Sequence, residues 1–522
     1  MFWVVLLLYS VQCYKILVFS PTISKSHMIS NGRIADELAK AGHDVVLFEP
    51  DFLNIFENVQ AAKVARRWPV KGFSDALQRA VSGYTNDLFD DTTLLSTILT
   101  DRAFHAAHNE MCKQIIENEQ LMAELRLENF DAYFGEHISL CGSGISYALD
   151  IKIHFWISSS PVLEPMAMVT GMPTPLSYIP ATAMTFSTSP SYFERAKNIV
   201  YGVAGFLAAI YDHHQTTQIF RDKFGADFPN VGEIAGNSDI VFVSTDEFVE
   251  IPRPGMPNMV NIGGLGLGQK KIDLDEEFTR NIDLDARGII YFSLGTVVNT
   301  TLLPPSVMEN LAKLALAFPH YHLIARIDSY DHHARNVSSR APNFSVHDWV
   351  PQVPLLNHPK MRLFITHCGY NGIMESARAG IPLLTVPFMF DQHRNSLSVT
   401  LKGWGLPIHR RVLQNDPGLL IESVREILSD EKYKKSALRI QRLIKEKPFN
   451  ASERLIKTAE FVLANGGVKE LLAEGRLHSF IHHNNLDILL PFFILLCVCL
   501  YAFIKSLSRL CSPKTVPKLH SE

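Results

Sequence analysis

Short apolar runs alternate with helical patterns along this chain, stop once near the middle, and then resume. No other feature constrains the fold as strongly. Runs at residues 15–19, 44–48, 130–134 and 153–158 read as strands, and a helical pattern at 30–41 ends on Gly42. Such alternation builds parallel βαβ units whose sheet is covered by helices on both faces. Residues 51–128 and 161–224 are less regular and rich in Phe, Met and Pro, and are expected to form loops and irregular helices around a pocket. The pattern breaks at 251–287, with Ile251-Pro-Arg-Pro-Gly-Met-Pro257, then Gly263-Gly-Leu-Gly-Leu-Gly268, then a charged stretch, the composition of an interdomain linker. Strands resume at 288–294, 322–326, 344–347, 363–366 and 383–386, and helices at 306–317, 372–379 and 418–428. The expectation is an α/β protein of two Rossmann-like doubly wound domains, residues 14–250 and 288–465, facing each other across a cleft, with a further segment at 466–487.

The two ends are different in kind. Residues 1–13 carry the apolar run 2–8, far shorter than the about 20 residues that span a bilayer, and Val11 and Cys13 are small enough to flank a cleavage site. This stretch reads as a secretory signal peptide, although no Lys or Arg precedes the apolar run. At the other end, 488–504 is seventeen residues without a charge, and Pro491 is expected in the first turn of a membrane helix. Lys505, Arg509, Lys514 and Lys518 follow, with Glu522 the sole acidic counterweight. Positive flanks stay cytosolic, so 505–522 is expected inside and the folded domains outside or lumenal, a single-pass type I arrangement that meets membrane lipid through 488–504.

Of seven cysteines, only Cys112, Cys141 and Cys368 fall in the lumenal part, which permits at most one disulfide. Sequons stand at Asn299, Asn336, Asn343 and Asn450, as in a glycoprotein. Net charge is 49 − 53 = −4, so the basic excess that drives binding to nucleic acid is missing.

The second half carries the chemistry. The strand at 289–294 ends in Ser293-Leu-Gly-Thr296, and the carboxyl end of a strand is where open α/β sheets bind ligands. His347-Asp-Trp-Val-Pro-Gln352 places an aromatic on a loop after a strand. The strand at 363–366 then runs into His367-Cys-Gly-Tyr-Asn-Gly372 and a helix, whose free N–H groups and positive dipole end suit a phosphate. Asn371 and Glu375, four apart, project from one helix face. The strand at 383–386 leads to Pro387-Phe-Met-Phe-Asp-Gln392.

In this order and spacing, Trp349-x-Pro-Gln352, Thr366-His-Cys-Gly369, Asn371, Glu375 and Asp391-Gln392 resemble the signature of the family 1 glycosyltransferases, which use UDP-sugars. Phe292-Ser-Leu-Gly-Thr296, Ser244-Thr-Asp246, Pro252-Arg-Pro254 and Gly263-Gly264 resemble further segments of that family. Leu176-Ser-Tyr-Ile-Pro180, Phe193-Glu-Arg-Ala-Lys197, and Ser26-His27 with Asp36-Glu-Leu38 and Gly42-His43 resemble the membrane-bound animal UDP-glucuronosyltransferases. The resemblance spans nearly the whole chain and implies the two-domain GT-B architecture.

It also implies roles. Trp349 would stack on the uracil, and Gln352 and Glu375 would hydrogen-bond the ribose. Ser293, Thr296, Thr366, His367 and Asn371 would hold the diphosphate with the helix N-terminus, and Asp391 and Gln392 would bind sugar hydroxyls. His27 would be the general base that deprotonates the acceptor hydroxyl. Its carboxylate partner, an aspartate in the family, is Glu136 here, five residues after Asp131. A single displacement inverts the sugar carbon. Glucuronic acid is the favoured sugar, with Arg253 the candidate partner for its carboxylate, and glucose is the alternative. The acceptor is expected to be a small lipophilic molecule with a hydroxyl, as in detoxification, and the setting the endoplasmic reticulum membrane with both domains lumenal. An oligomer is compatible with the sequence.

Asp273-Leu-Asp275 and Asp283-Leu-Asp285 look like a metal motif of another glycosyltransferase class, but lie in the charged linker and read as a solvated acidic loop. The pairs His213-His214, His332-His333 and His482-His483 lack ligand spacing to further sites. No metal and no cofactor beyond the UDP-sugar are expected. The remote alternative is a non-catalytic membrane protein whose ectodomain binds lipids or hormones; the nucleotide box argues against it.

Overall fold

The computed structural model describes residues 12–86, 88–89, 93–182, 184, 186, 189–267, 274 and 287–511. The expected signal peptide lies almost wholly outside them, as do the tail beyond residue 511 and, but for Leu274, the two acidic motifs of the linker.

The first sheet has seven parallel strands: β1 (Lys15–Phe19), β2 (Asp44–Pro50), β3 (Arg66–Val70), β4 (Ala132–Glu136), β5 (Ile153–Ser158), β6 (Ile240–Val243) and β7 (Met259–Asn261). Their order across the sheet is β3-β2-β1-β4-β5-β6-β7. The second sheet has six: β8 (Gly288–Ser293), β9 (Tyr321–Arg326), β10 (Phe344–His347), β11 (Met361–Thr366), β12 (Leu383–Thr385) and β13 (Gly405–Pro407), ordered β10-β9-β8-β11-β12-β13. The central strands β1, β4, β5 and β8 are buried along most of their length, which is why they read as unbroken apolar runs rather than as alternation. Each sheet reverses its winding once, between β1 and β4 and between β8 and β11, and in open α/β folds ligands bind at that reversal.

Beyond shifts of one or two residues at strand and helix ends, such as β4 at 132–136 rather than 130–134, four differences from the sequence expectation bear on how the two halves are built. The helix after β1 covers Lys25–Lys40 and so begins five residues early, because extended Ser24 caps it and accepts a hydrogen bond from the His27 N–H at 3.2 Å. The stretches expected to be irregular contain the long helices Leu94–Glu117 and Tyr192–Phe224, each opened by a capping box, Thr93 with Ser96 and Ser191 with Glu194. The second of these leaves Phe193, Val200 and Leu207 exposed, so its apolar residues do not segregate to one face and the helical period is blurred. Residues 259–261 of the expected linker form β7, the edge strand of the first sheet.

The fourth difference is in domain organisation. Helix Ala451–Ala464, within the stretch assigned to the second domain, is built into the first: Leu455, Ala459, Val462 and Leu463 join Ile16, Ile34 and Phe134 in one apolar core. Ser452 bonds Glu37, and Lys469 reaches Asp239 at 2.7 Å. A disulfide joins Cys112 to Cys141, leaving Cys368 free and buried.

Helix Leu486–Cys511 contains the one segment among the described residues, Leu486–Arg509, long and apolar enough to cross a membrane. Residues 488–504 are exposed throughout, unlike a core helix. Pro491 falls in the second turn rather than the first, because Asn485 already accepts from the Leu489 N–H at 2.9 Å and starts the helix earlier.

Candidate active site

Both sheet reversals open on one cavity of about 640 Å³, lined from both domains. On the first-domain side, β1 leads through residues 20–24 to His27, β4 ends on Glu136, and Ser159 directly follows β5. His27 Nδ1 lies 3.4 Å from Glu136 Oε2 and 3.0 Å from Ser159 Oγ. Ser159 donates to Glu136 Oε1 at 2.8 Å, and the His137 ring donates to the same oxygen at 2.8 Å. Since the Ser159 proton goes to Glu136, its oxygen accepts from His27 Nδ1–H. This network assigns the proton to Nδ1 and leaves Nε2 with the lone pair. Glu136 is 2% exposed. Burial alone would raise its pKa, but the hydrogen bond from His137 and the charge of His27 outweigh it and hold the carboxyl below the usual range.

The second-domain side is a cradle. Gly369 stands at the N-cap of helix Tyr370–Ala379 and supplies no capping side chain, so the first-turn N–H groups remain available to an anion. Gly295 has φ +77°, and a Cβ there would come within 2.5 Å of the His367 ring; a Cβ on Gly369 would meet the same ring at 2.6 Å. Both positions therefore require glycine to keep His367 in place. Burial pushes His367 down to about 4, so it is neutral, and its Nδ1 is buried without a hydrogen-bond partner. Cys368 and Phe390, neither a glycine, hold φ +70° and +48° in the turns of this site.

Gln352 donates to Glu375 Oε2 at 2.7 Å and accepts from the Tyr291 hydroxyl at 3.1 Å. Arg33, from the first domain, stands 3.8 Å from the other oxygen of Glu375. Burial raises the Glu375 carboxyl, with Arg33 and Gln352 pulling it back. Trp349 is 58% exposed at the cavity wall, an open aromatic face. Ser293 accepts from the Gly295 N–H at 3.2 Å, and Thr296 lies half-buried beside it. Asp391, half-buried, accepts from Asn395 at 2.7 Å.

Four expected residues are engaged differently from their anticipated roles. Thr366 is fully buried and its hydroxyl accepts from the Cys368 N–H at 3.2 Å, shaping the turn. Asn371 reaches across the cleft, donating to Ser30 Oγ at 3.1 Å and to the Ser26 carbonyl at 3.4 Å. The Gln392 carbonyl is taken by the N–H groups of Phe388 and Met389 at 2.9 and 3.1 Å, which leaves only its amide NH₂ for a ligand. Arg253 does not line the cavity; it donates to the Val162 carbonyl at 2.7 Å and lies near the Pro173 carbonyl and Thr174 hydroxyl. The linker chain runs along these carbonyls, and so its guanidinium is aimed into them. Among the described residues, the lysine and arginine side chains that do line the cavity are Lys25, Arg33 and Arg326.

Ser159, His137, Tyr291 and Arg33 were not anticipated. The motif-scale signal for Ser159 was its place just past a strand end, the same signal that marked Ser293. Asp101 and His105, neighbours on one helix, also meet Asp212, distant in sequence, on the first-domain wall.

Residues 14–518 match the family described as UDP-glucoronosyl and UDP-glucosyl transferase. The chain is 43% identical over 497 residues to a protein named putative UDP-glucuronosyltransferase ugt-47 of Caenorhabditis briggsae, covering 94% of this chain and 92% of that one. It is 27% identical over 511 residues to human UDP-glucuronosyltransferase 1A3, covering 96% and 92%. Among solved structures, the glycotransferase of kitacinnamycin has TM-score 0.59 at 18% identity, covering 88% of this chain and 100% of that one. A UDP-glucose:anthocyanidin 3-O-glucosyltransferase in complex with UDP has TM-score 0.56 at 15% identity, covering 87% and 99%, so these two share the GT-B fold. The chain belongs to the family of UDP-glucuronosyl and UDP-glucosyl transferases, enzymes that move a sugar from a UDP-sugar to an acceptor.

Proposed function

We propose that this protein transfers glucuronic acid from UDP-glucuronate to the hydroxyl of a small lipophilic acceptor, with inversion at the anomeric carbon and His27 as general base. The observation that carries the reading is the two-residue clamp on His27: Glu136 and Ser159 hold Nδ1, so that Nε2 is the basic nitrogen, in a cavity shared with the phosphate cradle. The hydroxyl proton passes to Nε2 as the oxygen forms its bond to the sugar carbon. The bond from that carbon to the β-phosphate oxygen breaks, and UDP leaves with the electron pair. Developing charge on UDP falls to the N–H groups that open helix Tyr370–Ala379. Glu136 stays ionised and stabilises the imidazolium. UDP is a good leaving group, so a second carboxylate acid of the glycosidase kind has no task here.

The sugar assignment rests on the naming of the relatives and on cavity charge. With Arg253 tied to backbone carbonyls, the glucuronate carboxylate must find Lys25, Arg33 or Arg326. Arg33 faces Glu375, and Arg326 donates to Asp328 and to the Gly295 carbonyl, so Lys25 is the first choice. Turnover with UDP-glucuronate against UDP-glucose decides: preference for glucose overturns the sugar and leaves the transferase standing. The mostly apolar cavity wall supports a lipophilic acceptor, with Leu77, Val81, Phe104 and Met166 among its residues.

The apolar helix and its basic flank support a single membrane span with both domains lumenal, and the likeness to animal UDP-glucuronosyltransferases supports the endoplasmic reticulum as the membrane. Protease added to sealed microsomes should spare residues 14–487; their digestion overturns the topology.

A further inference from the structure

The wall of the cavity opposite the phosphate cradle holds a cluster that the transfer reaction does not use. Asp101 and His105 lie four apart on helix Leu94–Glu117, so they share one face. Asp212 comes from helix Tyr192–Phe224, which packs against it. His105 Nε2 is 3.4 Å from Asp212 Oδ2 and 3.8 Å from Asp101 Oδ1, and one ligand atom from each residue falls within 4.8 Å of the other two. All three residues line the cavity.

Asp212 is 4% exposed, yet its Oδ2 accepts no hydrogen bond. A buried carboxylate oxygen without a donor is costly and calls for an explanation. Among the described residues no Lys or Arg forms an ion pair with Asp101 or Asp212; the charge of Arg102 acts on Asp212 without contacting it, so neither carboxylate has a cation within pairing distance other than His105.

The spacing around His105 bears on what could fill the space between the three groups. Zinc sits about 2.0–2.2 Å from N and O ligands in a tetrahedron, whose edges are then about 3.3–3.6 Å. The 3.4 and 3.8 Å separations from His105 are close to that edge, and the third, between the two carboxylates, is within 4.8 Å. A protonated amine accepted at hydrogen-bond distance, about 2.8 Å, would hold its three partners about 4.6 Å apart, wider than either separation from His105. One imidazole with two carboxylates suits a borderline transition cation better than the hard Mg²⁺ or Ca²⁺.

We propose that Asp101, His105 and Asp212 bind a divalent transition cation of the Zn²⁺ class, with its fourth coordination position open to the acceptor cavity. The site would take an oxygen donor of an acceptor, or water, in that position. It is distinct from the donor cradle and does not depend on the identity of the transferred sugar.

The test uses the full-length protein in detergent, stripped with a chelator and titrated with ZnCl₂, with MgCl₂ in parallel. The expected result is one Zn²⁺ per chain, bound roughly a hundredfold more tightly than Mg²⁺. His105→Ala and Asp212→Asn should each weaken Zn²⁺ by roughly tenfold or more while UDP still binds, since the UDP cradle is in the other domain. CoCl₂ added to the stripped wild-type protein should give the intense visible bands of a tetrahedral site, which Asp212→Asn abolishes; this readout needs no transferase activity. Lack of stoichiometric Zn²⁺ binding in the wild type, or Zn²⁺ binding unchanged in both variants, overturns the proposal. A site that ignores Zn²⁺ but binds an alkylammonium probe also overturns it, and reassigns the cluster to a cationic acceptor.

Discussion

Glu136 presents one oxygen, Oε2, to His27 Nδ1 at 3.4 Å, while its other oxygen is occupied by Ser159 and His137. This division makes the carboxylate a fixed bracket for the imidazole rather than a free acid. His27→Ala should lower kcat by roughly two to four orders of magnitude, the range for loss of a general base, with UDP affinity nearly unchanged. Glu136→Gln should act in the same direction but less strongly, since it keeps the volume and removes the charge. Steady-state kinetics with a UDP-binding control check both. Near-normal turnover by His27→Ala would sink the mechanism and leave the donor site.

Trp349 predicts the opposite pattern. Its exposed face makes no contribution until the donor arrives, so Trp349→Ala should raise KM for the UDP-sugar with little change in kcat. The loss should be ~1–3 kcal/mol, by analogy with base–aromatic stacking in nucleic-acid complexes. A fall in kcat at unchanged KM would show that Trp349 does not meet the base.

Asn343 should carry no glycan although it stands in a sequon. Its amide is buried and donates to the carbonyls of Ala315, Phe318 and Tyr321 at 2.7, 3.1 and 2.8 Å. Asn299, Asn336 and Asn450 are exposed. Glycopeptide mass spectrometry of protein made in a secretory host should find Asn343 unmodified. Asn343→Ala should cost about 1–3 kcal/mol in thermal or denaturant unfolding, because buried carbonyls lose their donor.

The Cys112–Cys141 bridge closes a loop of sequence separation 29. A loop of that length should contribute about 3–4 kcal/mol by chain entropy, so the Cys112→Ala, Cys141→Ala pair should unfold at markedly lower denaturant. An unchanged midpoint would mean that the bridge constrains nothing the fold does not already hold.

His154 gives a pH signature. Burial pushes it down to about 4, whereas an unfolded histidine titrates near 6.5. As pH falls through that window the unfolded chain takes up the proton first, so stability is full above about 6.5 and drains toward 4. Asp101 and Asp212, raised to about 6 and 7, work in the other sense, so the decisive measurement is a difference. His154→Gln should flatten the fall of Tm between pH 7 and 5 relative to the wild type. An identical slope would assign the acid sensitivity elsewhere.

Much of this was legible before any coordinates. β1 and β5 begin and end where their apolar runs do, because buried parallel strands leave little room for polar residues. The donor motifs were readable because each follows a strand end, and two of them carry a glycine, Gly295 and Gly369, that the packing of His367 requires. What could not be read depends on long-range packing. Ser159 matters only because β5 lies next to β4, and Asp212 meets His105 only because two helices cross. Helix Ala451–Ala464 looked like a continuation of the second domain because its amphipathic stripe does not say which core it will enter. Arg253 is the linker cation expected to meet a glucuronate carboxylate, and the sequence does not show that its guanidinium meets the Val162 carbonyl, 91 residues away in the chain.

The return of helix Ala451–Ala464 to the first domain means that the polypeptide passes between the two halves twice, once near residues 244–288 and again near 445–451. The two crossings limit how far the halves can separate, and Asn371 to Ser30 and Arg394 to the Val162 carbonyl add contacts across the seam. The membrane helix hangs from the half that receives Ala451–Ala464. The segment that joins Ala451–Ala464 to helix Leu486–Cys511 stays on the first domain, through Lys469 to Asp239 and Arg476 to Asn237, so the two halves are not equivalent with respect to that helix.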